Sequence, residues 1–136
     1  MNGSAASSAD GWSAAERLAA AIERDGPYCV WCSREFTGLV RATREHLVPR
    51  VKGGPSVLEN ELAACSRCNR ERGHRSPVQW LDEVAARGRE PRPDVLAAGL
   101  RRLQRRIDER GGHRRIRDYL RTELRKLERR GSAAHG

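Results

Sequence analysis

The sequence predicts an α+β fold: a small cysteine-held module of short strands and short helices, flanked by an N-terminal helix and a C-terminal helical hairpin. Three observations carry this. The four cysteines fall as Cys29-x-x-Cys32 and Cys65-x-x-Cys68, bracketing a stretch with short β-branched and aromatic runs. Ahead of them, residues 12–26 have helical spacing between a start signal and a stop signal. Behind them, two apolar stripes at helical spacing are joined by Gly111-Gly112.

Residues 1–11 are small and polar without a period, and are expected to be a disordered tail. Ser13, with Glu16 three residues on, forms a capping box that opens the first helix. Leu18 and Ile22 share one face of it, and Gly26-Pro27 ends it. The module is expected over residues 27–90. It opens on a first knuckle, from Tyr28 to Phe36. Phe36 to Val40 and Thr43 to Val48 read as two short strands joined by a turn, and Pro49 ends the second. Residues 52–56 form a loop by their Gly and Pro content. Asn60 to Ala64 lead into the second knuckle, Cys65 to Cys68, and a short helix follows until Gly73. Ser76-Pro77 caps and starts another helix, with Val78, Leu81 and Val84 on its apolar face. Residues 91–131 are expected to form a basic helical hairpin. Leu96, Leu100, Leu103 and Ile107 line its first helix, and Ile116, Leu120, Leu124 and Leu127 its second. Residues 132–136 are expected to be a frayed tail.

The formal charge of +9 is carried almost wholly by arginine. From Leu100 onward, 13 Lys and Arg stand against 5 Asp and Glu. Such a chain attracts a polyanion, most simply nucleic acid, and guanidinium grips phosphate in a bidentate way. No apolar run approaches the ~18 residues of a membrane span, so no membrane partner is expected. The first residues lack the apolar core of an export signal, which makes a cytoplasmic, reducing setting the expectation. There, two C-x-x-C pairs read as metal ligands rather than disulfides. With one Phe, one Met, two Tyr and three Trp, the chain has few large core residues, and a metal staple would help hold the module.

Each C-x-x-C turn can hold two corners of a tetrahedral zinc at about 2.3 Å. Cys29, Cys32, Cys65 and Cys68 together close the shell and leave no place for water, which marks a structural Zn²⁺. His46 lies between the knuckles beside Glu45. A neutral imidazole can activate water against a phosphodiester, and Glu45 offers a hard oxygen to Mg²⁺ or Mn²⁺. Side chains alternate across a strand, so the two can flank one phosphate only where the strand ends. Arg50 and Lys52 flank the site and could hold the nucleic-acid backbone.

These residues resemble the HNH endonucleases, with their ββα-metal fold. The resemblance runs through Cys29-x-x-Cys32, Thr43-x-Glu45-His46-Leu47-Val48-Pro49-Arg50, Gly53-Gly54, Asn60-Glu61-Leu62 and Cys65-x-x-Cys68-Asn69-Arg70-Glu71-Arg72-Gly73. It implies that His46 is the general base and that Glu45, where Asp is usual, binds the catalytic Mg²⁺ (or Mn²⁺ or Ni²⁺). It implies that Asn60 ties the following loop to the backbone beside the base. Asn69 falls where the last His often stands and faces the same metal, giving an H-N-N form of the motif. Arg72 stands where Lys is common and would contact phosphate. His74, beyond Gly73, is a candidate additional metal ligand. The implied function is metal-dependent hydrolysis of DNA phosphodiesters, with double-stranded DNA as partner. Two other readings stand beside it: a zinc-stabilised nucleic-acid-binding module without nuclease activity, and an adaptor that binds a protein through the hairpin.

Overall fold

The computed structural model describes residues 9–135, with side chains for residues 9–131. Helix α1 (Ala14–Asp25) is opened by Ser13 and Glu16, which cap each other's backbone as the sequence predicts. Gly26, at φ 94°, ends it in a backbone conformation that favours glycine. Strand β1 (Ala42–His46) pairs antiparallel with β2 (Glu61–Cys65), Ala42 opposite Cys65 and His46 opposite Glu61. Helix α2 (Ser66–Arg72) follows β2 directly, and α3 (Pro77–Ala86) starts on the Ser76 cap. Helices α4 (Pro93–Arg110) and α5 (Arg117–His135) pack on each other through their apolar stripes. Short 3-10 turns at Arg50–Lys52, Leu58–Asn60 and Arg114–Ile116 complete the chain.

The strand expected from Phe36 to Val40 does not form. Thr37 and Val40 exchange backbone hydrogen bonds of 3.1 and 3.2 Å, which closes a turn and leaves Leu39 98% exposed. The partner of β1 is instead Glu61–Cys65, a strand buried at every residue. Alanine-rich and led by a carboxylate, this segment has little strand propensity of its own; burial on both faces selects the conformation.

Part of the expected N-terminal tail is ordered, although residues 1–8 lie outside the described residues. Ala9 is buried, and Asp10 accepts hydrogen bonds from Arg106 and Arg110 of α4. At the other end α5 runs past Gly131 to His135, beyond the end the spacing predicts.

One core joins module and hairpin. Trp31, Leu47, Val48, Leu62, Trp80 and Leu81 share it with Leu96, Leu100, Leu103, Ile107, Ile116 and Leu120. Gly99 makes the seam close: a Cβ there would stand 3.0 Å from Leu47 Cδ1 and 3.2 Å from Leu62 Cδ2. Helix α5 is fixed to α3 by Glu123, whose buried carboxylate accepts from the Val78 N–H at 2.9 Å. No helix among the described residues is long and apolar enough to cross a membrane.

Candidate active site and metal centre

The knuckles bring four sulfurs together. The Sγ atoms of Cys29, Cys32, Cys65 and Cys68 all lie within 4.8 Å of one another, with Cys32 and Cys65 3.9 Å apart. Edges of a zinc–thiolate tetrahedron measure about 3.8 Å, from bonds of about 2.3 Å. The surroundings suit negative sulfur. Backbone N–H groups of Trp31 and Cys65 donate to Cys29 Sγ at 3.3 and 3.2 Å. Guanidinium groups of Arg34 and Arg89 donate to Cys65 and Cys68 Sγ, each at 3.3 Å. Hydrogen bonds from Cys29 and Cys68 hold the Cys65 thiol far below its ordinary value, and Arg34 adds to this. The bond to Cys65 pushes Cys29 the other way. Sulfurs this close cannot all be thiolates without a cation among them. The cluster is positioned to bind a metal ion, and its donors fit a closed, structural site.

His46 is the last residue of β1, where the strand gives way to Leu47-Val48-Pro49. Its side chain is 15% exposed, with Nε2 3.2 Å from Ser56 Oγ and 3.7 Å from Glu61 Oε2. Burial pushes the imidazole below its ordinary value. Glu61 opposes that shift, and the charges of Arg44, Arg50 and Arg17 add to it.

Glu45 points to the other side of the strand, as alternation demands. It is 4% exposed, accepts from Trp31 Nε1 at 2.7 Å and pairs with Arg72 Nη1 at 3.0 Å. Burial raises its carboxyl above the ordinary range, while Arg72 and Trp31 pull it back. Asn60 is fully buried. Its Oδ1 accepts from Val48 N at 2.9 Å, and its Nδ2 donates to Val48 O at 3.1 Å and Pro55 O at 2.9 Å. Both ends of the loop after His46 are thereby tied to one amide. Gly54 is part of this closure, since a Cβ there would run into the Val48 carbonyl. Asn69, on α2, donates from Nδ2 to Thr43 Oγ1 at 3.0 Å and Arg44 O at 2.9 Å, which leaves Oδ1 as its offer to the cleft.

One cleft is lined by Glu45, His46, Asn69 and His74, together with Pro49, Arg50, Arg72 and Gly73. The strand end and α2 therefore bring the expected base and both expected metal ligands to a common opening. A carboxylate and an amide oxygen form a donor pair that fits a hard divalent cation. His74 is exposed at the rim of the same cleft, although helical spacing from Asn69 does not put it there. Arg50 and Lys52 are exposed on the 3-10 turn beside it.

Residues 29–83 match the family described as HNH endonuclease. Over these residues the chain is similar to the HNH endonuclease family. The matched stretch includes both knuckles and every residue of the cleft. A CRISPR-associated endonuclease Cas9 from Corynebacterium diphtheriae is 28% identical over 68 residues, 49% of this chain and 6% of that protein. The chain thus spans a small fraction of that relative's length. No solved structure gives a significant match.

In the HNH module, Arg72 departs from its expected role. It is 1% exposed, and its guanidinium is committed to protein. Nη1 and Nη2 donate to the carbonyls of His46 and Leu47 at 2.6 and 2.7 Å, Nε donates to Arg75 O at 2.9 Å, and the group lies over Trp31. It braces the strand end that carries His46 and is not free to grip phosphate. Arg72→Ala would leave Glu45 buried without its cation and should cost roughly 3–5 kcal/mol, read as a lowered denaturation midpoint.

The residues that sequence reasoning missed are partners rather than ligands. Glu61 is 1% exposed, opposite His46, and also pairs with Arg17 at 2.8 Å and Arg44 at 3.2 Å. Ser56, Thr43 and Trp31 contact His46, Asn69 and Glu45 respectively. Only Glu61 left a signal: a carboxylate opening an otherwise apolar run, directly after Asn60.

Proposed function

We propose that this protein is a metal-dependent endonuclease that hydrolyses DNA phosphodiesters, with His46 as general base. The observation that carries the reading is the shared cleft of His46, Glu45 and Asn69 inside an HNH module. His46 takes the proton of the attacking water. Its neutral form is favoured by burial, so it is a competent base at neutral pH. Glu45 and Asn69 hold a Mg²⁺ or similar ion. When bound, such an ion supplies charge stabilisation at the scissile phosphate and the leaving oxygen. Asn60 acts through the loop and is a positioning residue. Arg50 and Lys52 contact the nucleic-acid backbone, and zinc occupies the four-cysteine cluster.

A lowered imidazole pKa leaves the base unprotonated at all pH values above it. The cleavage rate should therefore be level through neutrality and fall only below about pH 6.5, the ordinary histidine value. A pH profile of initial nicking rates checks this.

The test of the reading is relaxation of supercoiled plasmid under Mg²⁺, Mn²⁺ or Ni²⁺. Nicking that depends on the ion supports it. One observation favours a second reading: the Glu45 carboxylate is already engaged by Arg72 and Trp31. On that reading the module binds nucleic acid without cutting it. Salt-sensitive DNA binding with no nicking under any of the three ions would establish it in place of the first.

A further inference from the structure

The turn of the helical hairpin lies next to the loop that follows His46, and a close approach places it there. Ile116, which is 1% exposed, meets the loop after His46: a Cβ on Gly53 would stand 3.5 Å from its Cγ2. One helical turn later, Tyr119 is half-buried and packs against the same core. The start of α5 is therefore seated against the loop that follows His46. Arg114 and Arg115, immediately before Ile116, are exposed beside the 3-10 turn that carries Arg50 and Lys52.

About half of the cations are paired with carboxylates, and these four are among the rest. Arg106 and Arg110 are held by Asp10, Arg75 and Arg87 by Glu83, Arg89 by Glu71, and Arg130 by Asp82. Arg50, Lys52, Arg114 and Arg115 have no carboxylate partner among the described residues. Four unneutralised cations on two adjoining turns, contributed by segments about 60 residues apart, make a track that begins at the mouth of the cleft.

We propose that the hairpin turn, through Arg114 and Arg115, is a second backbone-binding point that extends the substrate path beyond the cleft. This rests on the reading of the protein as acting on nucleic acid, and it assigns the contact to phosphates, not to base edges. Both side chains are exposed and unpaired, so their removal should leave the fold intact.

The experiment measures binding of a short labelled DNA duplex across a salt series, without divalent ion. The full chain is compared with Arg114→Ala/Arg115→Ala and with Arg101→Ala/Arg105→Ala, which removes the same charge from the exposed face of α4. The turn variant should lose about tenfold or more in affinity at low salt. Its plot of log affinity against log salt should flatten by about 1.8, the value for two lost phosphate contacts. The α4 variant should keep the parental slope. Equal losses in the two variants, or an unchanged slope in the turn variant, would overturn this proposal and leave the nuclease reading standing. A parent that fails to bind the duplex even at low salt would overturn both.

Discussion

Replacing His46 with alanine is expected to lower the rate of plasmid nicking by about 10²- to 10⁴-fold, the usual contribution of a positioned general base. The fold should survive. Among the described residues the imidazole has Ser56 and Glu61 as its partners, and Glu61 keeps Arg17 and Arg44 when the ring is gone. Neither the sulfur cluster nor the Arg72–Glu45 pair touches the substituted atoms. The informative comparison is therefore activity against zinc content and melting temperature in one preparation. A variant that cuts as fast as the parent would remove His46 from the mechanism. A variant that loses activity and zinc together would show a broken fold rather than a missing base.

The second large effect is expected at the cysteines. Cys65→Ser should abolish stoichiometric zinc and unfold the module. Cys65 ends β2, caps α2 through Cys68 N–H and sits under Arg34, so one sulfur joins strand, helix and first knuckle. Structural zinc in small domains contributes about 10–16 kcal/mol of apparent binding energy, against a whole-protein stability of about 5–15 kcal/mol. Loss of the ion should therefore exceed the margin of stability. Trp31, fully buried in the first knuckle beneath Arg72, gives a local fluorescence signal for the change. An unchanged melting temperature after exhaustive chelation would show that the cluster is held by packing alone.

Much of this architecture was legible in the residues because it depends on local signals. Capping at Ser13 and Ser76 and the leucine stripes of the hairpin are properties of a few neighbouring positions, and the helices start where they indicate. Asn60 could be placed by resemblance, and its three hydrogen bonds are of the loop-tying kind which that resemblance implies. What was not legible depends on burial. The β-branched run at Phe36 to Val40 looks more strand-like than Glu61–Cys65, yet only the second is enclosed by core on both faces. Arginine at position 72 looks like a phosphate contact until its donors are followed to the carbonyls of His46 and Leu47. No spacing rule announces a buried guanidinium, because the residues that neutralise and stack it, Glu45 and Trp31, are distant in sequence.

The missing side chain at Gly99 limits how portable the cysteine-held module can be. An excised segment of residues 29–83 would leave Leu47 and Leu62 bare where the α4 backbone now lies against them, and would invite self-association in place of that helix. Exchanging the hairpin for another would require a new helix that is equally smooth at one point, or smaller residues at positions 47 and 62. Module and hairpin are thus constrained to change together, and variation can enter most freely at the exposed turn between the two long helices.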